Sequence, residues 1–154
     1  MNIGFDLDGV VACRPRIFKL NHVKGKYQVK MSVIEQWFWK GVMYLRQPSK
    51  IMRTELERFT RDGEKLYLIT GRLSFLKDLT DKWLDRHCLR KFFDGVEINI
   101  ENRQPHEFKA DKIKRFKISR FYEDELFTAE HLKNKTGIKV MWVVANGEQV
   151  HELK

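Results

Sequence analysis

The stretch Ile-Gly-Phe-Asp-Leu-Asp-Gly at residues 3–9 runs an apolar alternation into two carboxylates and a glycine. This pattern predicts a buried strand that ends in a charged turn. Because side chains alternate faces along a strand, Asp6 and Asp8 can both project toward one site at its carboxyl end. Open α/β sheets bind their ligands at that edge, and Gly9 would let the backbone turn sharply there.

Two carboxylates held this close repel each other unless a cation neutralises them or one of them takes a proton. Mg²⁺ prefers oxygen ligands and tolerates bound water and phosphate, so the pair suggests a hard cation and an anionic substrate. An alternative is a simple turn in which an aspartate caps backbone N–H groups and Gly9 supplies a positive φ. A calcium EF-hand loop is disfavoured, because it requires a preceding helix and different residues at Val10 and Val11.

The composition is that of an ordinary globular chain: of its 154 residues, 42% are hydrophobic and 33% are charged. This length and balance predict one soluble domain, with no apolar run of the roughly 20 residues that a membrane-spanning helix needs. No signal peptide is visible, and Cys13 and Cys88 lack metal-binding spacing, so we expect two buried thiols and a cytoplasmic location. The net charge of +9 favours nucleic acid, nucleotides or anionic lipid as partners, or it serves solubility alone.

Strand-like and helix-like segments alternate along the chain, which predicts a parallel, doubly wound sheet. After the first strand, helices are predicted at 14–20, 32–45, 51–61, 75–84, 109–117 and 126–135, with strands at 66–69, 96–100, 118–122 and 138–144. The turn pattern Asn146-Gly147 predicts a final short edge strand. Polar residues follow three of these strands: Asp6 and Asp8 the first, Thr70 the second, and residues 123–124 the fourth. The carboxyl ends of parallel strands share one edge, so these side chains are expected to converge there.

These residues resemble the four ordered motifs of the haloacid dehalogenase superfamily, most of whose members are Mg²⁺-dependent phosphatases and phosphotransferases. The matching segments are residues 6–10, residues 69–72, a following lysine and residues 122–124. The resemblance implies an α/β fold of the HAD-like Rossmannoid type, with three layers and a central parallel sheet. It also implies a small helical cap inserted after the first strand, at about residues 14–47 of a single domain spanning 1–154.

The resemblance further implies a catalytic role for four side chains. Asp6 would attack phosphorus and form an aspartyl-phosphate. Asp8 would act as general acid and base, and its backbone carbonyl would bind Mg²⁺. Thr70 would hydrogen-bond the transferring phosphoryl group, and Lys109, predicted to open its helix, would neutralise charge on Asp6 and the phosphate. Lys112 is the alternative for the lysine.

The remaining implied contacts concern the metal and the substrate. Asp124 would bind Mg²⁺ together with Asp6, while Glu123, which stands where many members have aspartate, would bind through water or orient the site. The backbone N–H near Gly71 would donate to the phosphoryl oxygens. Arg72 could reach a substrate phosphate. Alternatively, the acidic cluster after the fourth strand marks the start of a helix, where negative charge stabilises the helix dipole.

Aromatic and basic side chains are mixed within the expected cap, which suits a nucleobase stacked above a phosphate. Trp37 and Trp39 are the candidate stacking residues. This mixture resembles the deoxyribonucleotidase branch of the superfamily and, more loosely, the polynucleotide 3′-phosphatases. The aromatics could instead pack the cap against the core. The sequence therefore predicts a Mg²⁺-dependent phosphomonoesterase acting on a nucleotide. The alternatives are a polynucleotide 3′-phosphatase, a sugar-phosphate phosphatase and a non-catalytic basic nucleic-acid-binding domain.

Overall fold

The computed structural model describes residues 1–13 and 32–153, with alternating strands and helices. The strands are β1 (Asn2–Phe5), β2 (Lys65–Leu73), β3 (Gly95–Asn99), β4 (Arg120–Glu123), β5 (Lys139–Val144) and β6 (Gln149–Glu152). The helices are α1 (Val33–Tyr44), α2 (Lys50–Arg61), α3 (Lys77–Arg86), α4 (Pro105–Arg115) and α5 (Leu126–Thr136). The predicted helix at 14–20, and most of the predicted cap, lie outside the described residues.

One six-stranded sheet runs through the molecule in the order β3-β2-β1-β4-β5-β6. The first five strands are parallel, and the edge strand β6 pairs antiparallel with β5. The mostly parallel sheet and the predicted edge strand are therefore confirmed. Strand β1 lies between β2 and β4, and Phe5 is opposite Leu68 on one side and Tyr122 on the other. This register brings Asp6 and Glu123, the next residues along, to neighbouring positions at the carboxyl edge.

Helices cover both faces of the sheet and make the fold three-layered. On one face, Phe5 packs in a buried cluster with Leu56 of α2 and Leu84 of α3. On the other face, Phe121 packs with buried side chains of α4 and α5. A central parallel sheet between two helical layers is the predicted Rossmannoid architecture. No helix among residues 1–13 and 32–153 has the length and apolar character needed to cross a bilayer.

The helix boundaries follow local capping chemistry. Ser32 caps α1 and forms the predicted capping box with Glu35, each satisfying a backbone N–H of the other. Ser49 accepts a hydrogen bond from the N–H of Met52 and so caps α2. Gly137 ends α5 with a left-handed φ of +69°, as the sequence predicts.

Three expectations were wrong in detail. Strand β2 does not end at Thr70 but continues to Leu73, with an irregularity in its pairing to β3. Helix α4 begins at Pro105, a favourable first helical residue, so Lys109 is the fifth residue of the helix and does not open it. Cys88 is exposed and Cys13 is only partly buried, so they are not a pair of core thiols.

Candidate active site

Asp6 and Glu123 are buried side by side at the carboxyl edge of the sheet, with one lysine between them. The ammonium nitrogen of Lys109 lies 3.0 Å from Asp6 Oδ1 and 2.6 Å from Glu123 Oε2. All three side chains are at most 7% exposed. The N–H of Asp6 donates to the carbonyl of Tyr122 at 2.9 Å, which fixes the end of β1 against β4. The site therefore holds two carboxylates around one buried cation.

Burial sets the ionisation of this cluster. Desolvation raises the pKa of Asp6, and the nearby charge of Asp8 adds to it, although Lys109 acts in the opposite direction. Desolvation also raises the pKa of Glu123, again against the effect of Lys109. Burial alone would lower the pKa of Lys109, but the charges of both carboxylates outweigh it and raise that pKa, so the lysine stays protonated. A further cation at this edge would favour the ionised form of both carboxylates.

Asp124 completes an acidic group that fits a divalent cation. Carboxylate oxygens of Asp6, Glu123 and Asp124 all lie within 4.8 Å of one another. Both oxygens of Glu123 already have partners, since Oε2 accepts from Lys109 and Oε1 from the N–H of Glu125 at 3.2 Å. The donor set is therefore suited to Mg²⁺ held by Asp6 and Asp124, with Glu123 orienting Lys109.

Asp8 is held by two arginines, which is the least expected feature of the site. Arg72 makes a bidentate contact, with Nε 2.8 Å from Oδ2 and Nη2 2.7 Å from Oδ1 of Asp8. Arg46, from the connection between α1 and α2, donates a short hydrogen bond from Nη1 to Oδ1. Burial opposes ionisation of Asp8, but the charges and hydrogen bonds of the arginines outweigh it and lower the pKa to about 2. In this conformation Asp8 is an ionised carboxylate without a proton to donate.

Arg72 is itself locked by three elements. Its Nη1 donates to Thr80 Oγ1 of α3 at 3.0 Å, and its Nη2 lies 3.4 Å from the sulfur of Met43 in α1. The irregular end of β2 aims it back toward Asp8, because such bulges redirect side chains. The side chain is 2% exposed. Arg72 thus contacts Asp8 directly, and its predicted contact with a substrate phosphate stays a prediction.

The structure brings Thr70 to the same edge, whereas Lys112 is paired elsewhere. Thr70 is buried beside β1, and its Oγ1 accepts from the N–H of Arg72 at 3.3 Å. Lys112, the alternative lysine, pairs instead with Glu97 at 2.5 Å, so the contacts favour Lys109. Gly71 packs closely on Pro105, since a Cβ added at Gly71 would lie 2.8 Å from the proline Cβ. This close packing places the start of α4 at the site.

The aromatic candidates lie on the helix that reaches the site only at its carboxyl end. Trp37 is 72% exposed, and Trp39 is partly buried, with its ring centroid 6.1 Å from that of Phe38. Met43, one turn later, contacts Arg72. Neither tryptophan belongs to the two buried clusters formed by the described residues, and the stacking role stays a prediction.

Sequence reasoning missed Arg46 as a partner of Asp8. It lies 38 residues from Asp8 and after α1. No local sequence pattern there distinguishes it from the other arginines of the chain. Its backbone is fixed by Trp83 of α3, whose Nε1 donates to the Arg46 carbonyl at 2.8 Å. The only hint in the sequence is a basic residue close to the end of an aromatic helix.

No protein-family model matches the sequence, and no curated protein matches it. Solved structures do match. A haloacid dehalogenase-like family hydrolase from Streptococcus pneumoniae is similar with a TM-score of 0.68 and 16% identity, over 96% of this chain and 87% of that chain. D,D-heptose 1,7-bisphosphate phosphatase from B. bronchiseptica, complexed with magnesium and phosphate, has a TM-score of 0.57 and 16% identity, over 95% and 82%.

A third similar structure is the Pnkp1/Rnl/Hen1 RNA repair complex, with a TM-score of 0.65 and 13% identity. The match covers 92% of this chain and 42% of that chain. At identities this low, the similarity shows the arrangement of the backbone alone. The chain has the Rossmannoid fold of the haloacid dehalogenase-like hydrolases.

Proposed function

We propose that the protein is a Mg²⁺-dependent phosphomonoesterase that works through an aspartyl-phosphate. The observation that carries this proposal is the buried contact of Lys109 with Asp6 and Glu123, next to Asp124, at the carboxyl edge of the sheet. A carboxylate that attacks a phosphate dianion requires positive charge beside it, and Lys109 supplies that charge at 3.0 Å.

The proposed reaction has two steps. A carboxylate oxygen of Asp6 attacks phosphorus, the bond from phosphorus to the ester oxygen breaks, and the departing oxygen takes a proton. Water then attacks the phosphorus of the aspartyl-phosphate and loses a proton, and the bond from phosphorus to the Asp6 oxygen breaks, which regenerates the Asp6 carboxylate and releases inorganic phosphate. Thr70 and the backbone at Gly71 are the proposed donors to the phosphoryl oxygens.

Mg²⁺ would be held by the carboxylates of Asp6 and Asp124 and the backbone carbonyl of Asp8. When bound it would neutralise negative charge where the phosphate meets the carboxylates. Glu123 would act on Lys109 in this scheme, since its oxygens already accept from Lys109 and from the backbone.

Asp8 is the proposed proton donor and acceptor, and its contacts place a condition on that role. Both of its oxygens are held by arginines, and its pKa is about 2. Asp8 would therefore have to leave at least one arginine before it protonates a leaving oxygen. Arg46 follows α1 and contacts Asp8 from there, so substrate binding that displaces Arg46 is the proposed trigger.

We infer a nucleotide as the substrate, and a cytoplasmic location in keeping with the free thiols. The exposed Trp37 offers an aromatic surface on a helix whose other end contacts the site through Met43. A polynucleotide 3′-phosphatase is the second candidate, favoured by the net charge of +9.

The test is phosphate release with Mg²⁺ from nucleotides, 3′-phosphorylated oligonucleotides and sugar phosphates. We expect Asp6→Asn to reduce kcat/KM by at least about a thousandfold. Asp78→Asn, at an exposed position in α3, should match the wild type. The best substrate identifies the class of phosphomonoester. Absence of release from every compound, in folded protein that still binds oligonucleotides, would contradict the proposal and favour a non-catalytic binding domain.

A further inference from the structure

A second cluster of metal-binding side chains lies outside the candidate active site, between α4 and α5. His106 and Glu107 belong to the first turn of α4, and His131 lies near the middle of α5. One ligand atom from each of the three residues lies within 4.8 Å of the others. They are separate from the acidic group at Asp6, Glu123 and Asp124.

The two imidazoles are in close edge-to-face contact. Their ring centroids are 4.5 Å apart, with an interplanar angle of 65°. Phe127 packs edge-on against His106, with centroids 5.4 Å apart, and so supports one side of the cluster. Glu107 Oε1 lies 3.2 Å from His131 Nε2.

His131 Nε2 is the atom that points to a ligand. It is shielded from solvent, and within residues 1–13 and 32–153 it makes no hydrogen bond, despite its closeness to Glu107. A shielded imidazole nitrogen without a hydrogen bond is costly unless something occupies its lone pair. A bound cation between the two histidines and the carboxylate would do so.

The chemistry of the three donors selects the kind of ion. Two imidazoles and one carboxylate suit Zn²⁺ and similar transition-metal ions, whereas Mg²⁺ prefers oxygen alone. Metal binding requires neutral imidazoles.

Lys135 is the feature that opposes binding. Its ammonium group makes a short contact with Glu107 Oε2. Glu107 Oε1, on the side of His131, is the oxygen left for an ion. The lysine charge therefore weakens a cation site here without blocking it, so removing that charge should tighten binding.

We propose that His106, Glu107 and His131 form a second cation site, specific for Zn²⁺ or a similar transition-metal ion, that joins α4 to α5. Helix α4 also carries Lys109, and α5 follows Asp124, so an ion here would join two elements that bear on the acidic edge. An ion here would hold the two helices together without taking part in the proposed phosphoryl transfer.

The experiment uses the full chain carrying Asp124→Asn, so that the proposed Mg²⁺ site is weakened, and titrates metal-free protein with Zn²⁺ by calorimetry. We expect one equivalent to bind. Loss of an outer-shell partner of a metal site typically weakens metal affinity roughly tenfold to hundredfold. We expect a larger loss of Zn²⁺ affinity for each ligand variant, namely His106→Asn, His131→Asn and Glu107→Gln. His151→Asn, a histidine of β6, is the matched control and should bind as the parent does.

Two further measurements keep the outcome decisive if a ligand variant folds poorly. Lys135→Gln keeps all three donors and should bind Zn²⁺ more tightly. Adding Zn²⁺ should therefore raise the thermal midpoint of this variant more than that of the parent. Bound Co²⁺ should give the intense visible absorption typical of a Co²⁺ ion with a low coordination number and imidazole ligands. This absorption should disappear in His131→Asn. Weaker binding in Lys135→Gln, or equal Zn²⁺ affinity in the parent and the His106 and His131 variants, would overturn the proposal.

Discussion

Asp8 contributes stability in the folded protein only while it is ionised. Its pKa falls from a usual 3.8 to about 2, so the contribution is complete above about pH 5 and is lost as the pH falls toward 2. Between pH 5 and pH 3 the wild type should lose about 1 kcal/mol more free energy of unfolding than Asp8→Asn. Urea unfolding at the two pH values, in EDTA, measures this difference. Asp78→Asn should keep the wild-type dependence of the free energy of unfolding on pH. If Asp8→Asn loses as much of this free energy as the wild type between pH 5 and pH 3, the stabilisation of ionised Asp8 by the arginines is contradicted.

The proposed acid role of Asp8 depends on the leaving group. An alkyl oxygen leaving a nucleotide needs a proton, whereas the nitrophenolate of p-nitrophenyl phosphate departs without one. Asp8→Asn should therefore lower kcat/KM, which reports the first step, by roughly 100-fold or more for a nucleotide, and far less for p-nitrophenyl phosphate. Asp6→Asn should remove both activities equally. Equal losses for both substrates in Asp8→Asn would show that Asp8 does not protonate the leaving oxygen.

Lys109 stabilises two buried carboxylates that would otherwise repel each other. Lys109→Met should lower the free energy of unfolding by about 3–5 kcal/mol in EDTA, because Asp6 and Glu123 lose their cation. Mg²⁺ should restore more stability to this variant than to the wild type, as urea unfolding with and without Mg²⁺ would show. Lys112→Met, which removes a partly exposed pair with Glu97, should cost at most about 1 kcal/mol. A similar loss in both variants would contradict the role of Lys109.

At the scale of elements, β1 is a strand whose close packing requires glycine. A Cβ at Gly4 would lie 2.4 Å from Cδ2 of the fully buried Phe121, so Gly4→Ala should destabilise the protein by about 1–3 kcal/mol. Gly41 in α1 has no described atom within 4 Å of a Cβ, and Gly41→Ala should stabilise it by about 0.5–1 kcal/mol. Thermal and urea unfolding of the two variants measure both signs. Destabilisation by Gly41→Ala would show that α1 is packed more tightly than its described neighbours indicate.

The elements also show what the sequence can and cannot predict. Alternation and apolar runs predict the parallel strands, and once these are in place the convergence of Asp6 and Glu123 follows from register alone. The start of α4 was misplaced because the basic run near Lys109 dominates the pattern, although Pro105 at the first helical position is a recognisable start. The contact of Arg46 with Asp8 was not predictable, because it depends on how a connection folds over the sheet, and no periodicity encodes that.

At the scale of the whole molecule, the excess of 30 basic over 21 acidic residues bears on which phosphate ester is bound. A polyanion that contacts several lysines and arginines releases counterions, so its binding falls steeply with salt, whereas a mononucleotide releases few. If the substrate is a nucleic-acid end, kcat/KM for a 3′-phosphorylated oligonucleotide should fall about tenfold between 50 and 200 mM salt. The value for a mononucleotide should change little over the same range. Initial rates at matched Mg²⁺ concentrations measure both. Parallel, shallow dependences would indicate that the positive charge serves solubility, and would leave the mononucleotide as the proposed substrate.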